Sequence, residues 1–344
     1  MRTTTTSLAG VLSAAALFLA ACGGGEGAEA SGGSGSGSEG GEGRALRLAL
    51  NQTEQHPSYL ALDSFGQRLS EATDDRWSIE VFANETLGAQ AEALQLVSSG
   101  AVDMAIVSGT QLENLDEDFV VFNLPTVFDS VEQQMSVVND PDVVGDLYSS
   151  LESSENITVV GGFTQGTRSV YTTDGPVETP EDLAGKKMRV QESDLHLSMM
   201  EAMGGSPTPL AFGEVYTALQ SGVIDGAENN EVSYFTQKHH EVAPFYSRTN
   251  HLVGLDYLII NTGVLSEMSE EDRAAFDEEW TAAHEEHTQL WTEATEQAIA
   301  DAEAAGATFS EVDTDAFNAV LEPLVDEFLT TDSQRALYDA ARGN

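Results

Sequence analysis

A single cysteine, Cys22, stands in 344 residues, so no disulfide can form within the chain. Positive charge is almost as scarce: 14 Lys and Arg face 58 Asp and Glu, a formal net charge of −44. Such a chain has nothing with which to neutralise a run of phosphates, and that excludes a nucleic-acid partner. From Arg76 to Arg168 no other Lys or Arg occurs. Past residue 21 no apolar run reaches the roughly 18 residues of a membrane span. Enzyme signatures are missing as well, with no Walker loop, nucleophile elbow or His-Glu-x-x-His. Gly204-Gly205 runs into Ser206-Pro207 and not into a helix start, so it cradles no phosphate. His239 and His240 are adjacent and their rings diverge on a helix, which predicts an exposed surface pair and no metal site. No metal, no cofactor and no catalytic residue is expected.

What is present begins with export. Arg2 precedes an Ala/Leu-rich run over 8–21, the anatomy of a secretory signal. The run ends in Leu19-Ala20-Ala21-Cys22, which resembles a bacterial lipobox; Cys22 would be acylated and become the mature N-terminus. Residues 22–43 are Gly, Ser, Glu and Ala without apolar periodicity and read as a flexible tether. The expected location is extracytoplasmic, with the membrane touched only through the lipid. About 300 residues remain, enough for two lobes. With 41% hydrophobic residues they form a folded body under a strongly solvated acidic surface, as high-salt habitats favour.

The body alternates strands and helices. Strands are predicted over 46–50, 77–82 and 102–107, with helices from Pro57, where Leu60, Phe65, Leu69 and Ala72 share a face, and over 90–98. This order argues for an α/β lobe with a largely parallel sheet and a ligand at the carboxyl ends of its strands. A second set has strands over 157–161, 169–172, 187–190 and 223–226, and helices starting at Thr179-Pro180, after 190, and over 214–220. From 269 to 305 Phe276, Trp280, Ala283, His287, Leu290, Trp291, Ala294, Ala298, Ala302 and Ala305 recur at helical spacing with no Gly or Pro until Gly306. One unusually long helix is predicted there, long enough to lie across both lobes.

Two of the rare arginines stand out by their placement, and an arginine inside a strand is disfavoured unless it pairs. Arg168 falls at a strand start and Arg189 inside the strand Lys187-Met188-Arg189-Val190. A guanidinium can hold a carboxylate by two parallel hydrogen bonds, so each either pairs with an internal acid or contacts an acidic ligand.

The run Met188 to Asp194, then Gly205 to Gln220 with Pro207-Thr208-Pro209-Leu210-Ala211-Phe212, then Asp225-Gly226-Ala227-Glu228-Asn229-Asn230, strongly resembles the substrate-binding subunit of tripartite ATP-independent periplasmic (TRAP) transporters, of the DctP type. Leu124-Pro125-Thr126-Val127-Phe128 and Thr249-Asn250-His251 agree, and the likeness covers the chain after the tether. The resemblance implies a two-lobe α/β binding protein with crossing strands and a long helix spanning both lobes. It divides the body into 44–165 with about 255–294, and 166–254 with about 295–344. It implies that Arg189 binds a ligand carboxylate, Arg168 assists, Phe212 packs on the ligand and Asn229 hydrogen-bonds it. Asn51 and His251 resemble further pocket-facing residues. The implied function is a non-enzymatic receptor that closes on a small organic acid and passes it to two membrane subunits. The motif looks most like hexuronate binders; C4-dicarboxylate and sialic-acid receptors are alternatives within the family, and an anchored enzyme acting on acidic sugars is the alternative outside it.

Overall fold

The computed structural model describes residues 43–343. The signal segment, Cys22 and all of the tether except Gly43 lie outside the described residues.

Among the described residues nine strands make one sheet: β1 (Arg44–Ala49), β2 (Trp77–Phe82), β3 (Met104–Ser108), β4 (Ile157–Thr172), β5 (Lys187–Val190), β6 (Ser206–Pro209), β7 (Gly226–Asn229), β8 (Phe245–Asn261) and β9 (Thr308–Glu311). Their order is β2-β1-β3-β8-β4-β7-β5-β6, with β9 on β8. The outer groups, β2-β1-β3 and β7-β5-β6, are parallel, as helical crossovers require. Between them β8 and β4 run antiparallel along most of their length and carry the sheet from one lobe into the other. Apolar cores lie on both sides of this seam. Leu46, Leu48, Phe65, Met104 and Ile106 pack with Phe276 and Trp280 in one lobe. Tyr171, Val215, Tyr234 and Tyr246 pack together in the other.

The long helix runs over Glu270–Ala304, 35 residues and about 52 Å at 1.5 Å per residue. Ser269 caps it by accepting from the Asp272 backbone N–H, and Glu270, Glu271 and Asp272 place negative charge at its N-terminus. Most of its predicted stripe, from Phe276 through Trp291 to Ala302, is buried against the helix Pro57–Ala72, β4 and the short helix Glu231–Thr236, whereas Leu290 and Ala294 are half-buried and Ala305 is exposed.

Four local expectations are corrected. The segments 157–161 and 169–172 are ends of the single strand β4, whose pairing with β8 slips between Val159 and Gly161, Thr164 and Thr167, and Arg168 and Val170. The strand expected over 223–226 lies at Gly226–Asn229, where all four residues are buried, whereas Val223 is 54% exposed in the preceding turn. On the helix Pro57–Ala72 the core face is Ala61, Leu62, Phe65 and Leu69; Leu60 and Ala72 point to solvent. His239 and His240 are buried, because the His239 Nδ1 meets the Tyr171 hydroxyl at 2.7 Å and His240 stacks on Phe235.

Candidate ligand-binding cleft

The slips in the β4–β8 ladder fall where two glycines allow unusual approaches. Gly166 has φ +62°, and a Cβ there would lie 2.4 Å from Trp291 Nε1. At Gly254 a Cβ would meet Gln165 Oε1 at 2.6 Å and Arg168 Cδ at 2.8 Å. These openings let Trp291 of the long helix and the Arg168 side chain enter the space at the seam. The result is a narrow, polar cleft at the seam between the lobes. Asn51, Arg168, Arg189, Phe212 and Asn229 all line it.

Arg168 is 2% exposed and all five of its N–H donors have protein acceptors. Nε and Nη2 bond the two carboxylate oxygens of Glu228 at 2.6 and 2.7 Å. Nη2 also reaches the Glu228 carbonyl at 3.0 Å. Nη1 bonds Gln165 Oε1 at 2.6 Å and Asn229 Oδ1 at 2.9 Å. Burial by itself would raise the Glu228 carboxyl; Arg168, with His196 and His251 close by, reverses this and holds it well below the ordinary carboxylate range. His251 therefore does not face the cavity. Its Nε2 lies 3.5 Å from Glu228 and its Nδ1 2.9 Å from the Thr249 hydroxyl, behind the ion pair. The adjacent Thr-Asn-His run in β8 puts the ring on the Glu228 side of the strand, away from the cleft.

Arg189 is different. It is 4% exposed, yet among the described residues no carboxylate comes within 4.0 Å of its guanidinium. Nε and Nη2 bond the Leu210 carbonyl at 3.0 and 2.8 Å, and no bond is made by Nη1. The guanidinium carbon sits 5.8 Å from the Phe212 ring centroid. Burial lowers its pKa below the ordinary guanidinium value, the mark of a cation short of counter-charge. Three unused N–H donors in a buried cleft are complementary to one carboxylate.

Neutral donors and acceptors surround it. Asn229 Oδ1 accepts from Arg168 and from the Asn230 N–H and side-chain amide, which leaves its own amide free. Asn51 lies just past the carboxyl end of β1. His56, which caps the helix Pro57–Ala72, is pushed down to about 3 by burial and is neutral, with its ring edge-on to Trp291 at 5.5 Å. Gln90, Gln165, Gln191, Ser233, Trp291 and Asp256 also line the cavity and were not singled out as ligand residues from sequence. Asp256 had a visible signal, as the one carboxylate between Leu252 and Ile260. Trp291 had none, because its helical spacing is that of a core residue.

A two-lobe sheet crossed by a pair of long strands, with a polar, cation-bearing cleft at the crossing, defines a periplasmic-type binding protein. The chain belongs to the bacterial extracellular solute-binding proteins, family 7 (DctP), which its residues 48–332 match. It is 38% identical over 278 residues to a solute-binding protein of Chromohalobacter salexigens, covering 80% of this chain and 81% of that one. A TRAP periplasmic solute-binding protein from Anaerococcus prevotii, solved with bound α/β-D-glucuronate, superposes with a TM-score of 0.84 at 37% identity. That match covers 87% of this chain and 97% of the other. A second, from Xanthobacter autotrophicus with bound β-D-galacturonate, has a TM-score of 0.82 at 31% identity, covering 87% and 99%. The TRAP-receptor assignment and the two-lobe α/β architecture expected from sequence are both borne out. Among the described residues no helix is long and apolar enough to cross a membrane.

Proposed function

We propose that this protein is the extracytoplasmic receptor of a TRAP transporter for a hexuronate such as D-glucuronate or D-galacturonate, and that it delivers its solute unchanged to the membrane subunits. The observation that carries this reading is Arg189, a buried guanidinium in the cleft with no acid of its own among the described residues. A ligand carboxylate takes its unused donors, the free amide of Asn229 and the side chain of Asn51 read hydroxyls, and the Phe212 ring covers a face of the sugar. Arg168 takes part indirectly by fixing Asn229. The uronates bound by the Anaerococcus and Xanthobacter proteins support the choice of acid.

Closure joins 44–165 with about 255–294 to 166–254 with about 295–344, bending where the β4–β8 register slips beside Gly166 and Gly254. Gln52 to Ser233 at 3.3 Å and Thr110 to Gln191 at 3.2 Å bridge the two parts. A ligand that contacts both parts favours the closed form by those extra contacts. Lipidation at Cys22 would hold the receptor at the membrane; acyl labelling of the wild type, lost in Cys22→Ala, checks it.

A thermal-shift panel on the full chain tests the reading. Hexuronates are expected to raise the melting temperature, since ligand at about a thousand times Kd adds about 4 kcal/mol. Recovery of the uronate unaltered after incubation is the companion result. A shift with sialic acid or succinate and none with either uronate would overturn the assignment, and conversion of the sugar acid would make the protein an enzyme.

A further inference from the structure

Asp256 is the second uncompensated charge of the cleft. It stands in β8 and is 4% exposed. Its Oδ1 accepts from Gln165 Nε2 at 2.6 Å, and no protein donor among the described residues reaches Oδ2. Unlike Glu228 it has no cation within 4.0 Å among the described residues. The other charges facing it are on β4, β7 and β5: Arg168 and Glu228 neutralise each other, and Arg189 is unmatched. His56, before the helix Pro57–Ala72, is neutral. The cavity therefore presents one open cation, on β5, and one open anion, on β8, with β4 and β7 between those strands in the sheet.

We propose that Asp256 is a specificity-determining residue that limits the cleft to acids with a single carboxylate and accepts a hydrogen bond from a ligand hydroxyl. The inference rests on the hexuronate reading and sharpens it. Once Arg189 holds the ligand carboxylate, a second carboxylate finds no cation left and meets Asp256 in a site screened from water, where like charges repel strongly. A hydroxyl meets the same oxygen as a donor and forms a charge-assisted bond. Burial pushes the Asp256 carboxyl up to about 6, consistent with an acid that lacks a cation of its own. Dicarboxylates are then rejected by charge.

The test is titration calorimetry on the full chain with D-glucuronate and with the open-chain pair D-gluconate and D-glucarate, which differ by the second carboxylate. Asp256→Asn keeps the shape and the Gln165 contact. It should raise glucarate affinity relative to gluconate by about tenfold or more, and weaken glucuronate by about tenfold. An unchanged glucarate-to-gluconate ratio, or no glucarate binding by the variant, overturns the proposal. If the variant does not fold, the wild type answers between about pH 7.5 and 5: glucarate should gain on gluconate as Asp256 takes up its proton, and a flat ratio overturns the role. A ratio that shifts without any glucuronate binding sinks the hexuronate reading and leaves Asp256 in place. Glucuronate binding with an unmoved ratio does the reverse.

Discussion

Arg168 and Arg189 lie in the same cleft, are equally buried, and do opposite things. The first has every donor satisfied by Glu228, Gln165 and Asn229; the second has one carbonyl, an aromatic face and open donors. Sequence left both open to either fate. The difference comes from the neighbouring strand: Glu228 of β7 pairs opposite Val170 of β4, beside Arg168, while the residue paired with Arg189 is Ala227. One register position thus separates a cation paired within the fold from one left with open donors.

The sharpest way to break this contrast is Arg168→Met. It strands the Glu228 carboxylate in the interior, and about 3–5 kcal/mol of stability should be lost, read by denaturant unfolding. Adding Glu228→Met should restore most of that loss, since a buried pair can be exchanged for apolar groups at little cost. Arg189→Lys should barely move the midpoint and should weaken uronate binding by about 2–3 kcal/mol, roughly a hundredfold, by calorimetry. Binding like the wild type there would end the carboxylate-anchor role.

The two kinds of acid also separate on pH. Asp256, at about 6, and Glu113, raised to about 7 mainly by burial, bind protons more tightly folded than unfolded. Stability should therefore rise as pH falls from neutral through those values toward their ordinary 3.8 and 4.5. Glu228 is lowered, so its contribution is complete above its ordinary 4.5 and is lost as pH falls further through its folded value. A melting temperature that peaks in mildly acidic buffer is expected, a few degrees above its neutral value at about 2 °C per kcal/mol. A maximum at neutral pH would contradict this assignment. The smallest effect concerns the space that holds Arg168. Gly254→Ala should cost about 1–3 kcal/mol, because its Cβ lands on Gln165 and Arg168. Crystallography of that variant should show Arg168 displaced with Arg189 in place.

Much of this was legible in the chain. The helix Glu270–Ala304 announced itself because nothing interrupts its period, and β5 and the helix Gln90–Ser98 fell where the pattern placed them. The motif around Arg189 brought Arg189, Phe212 and Asn229 to the cleft, which Arg168 and Asn51 also line. What failed did so for physical reasons. β4 read as two strands because Gly161, Gly162 and Gly166 break its alternation, yet those residues bend a continuous strand. His251 resembles a pocket residue in the sequence, yet its ring turns toward Glu228 behind the Arg168 ion pair. Trp291 and the burial of His239 depend on what packs opposite, which local periodicity does not encode.

The β4–β8 ladder has a consequence for how the molecule comes apart. Both lobes hang on one uninterrupted sheet, and the long helix is laid against elements of each. Neither lobe has a complete set of backbone partners without the other, so neither is an independent folding domain. Calorimetric and van't Hoff enthalpies should agree for a single transition, and separately expressed halves should stay unfolded. The unit that folds is larger than the unit that moves.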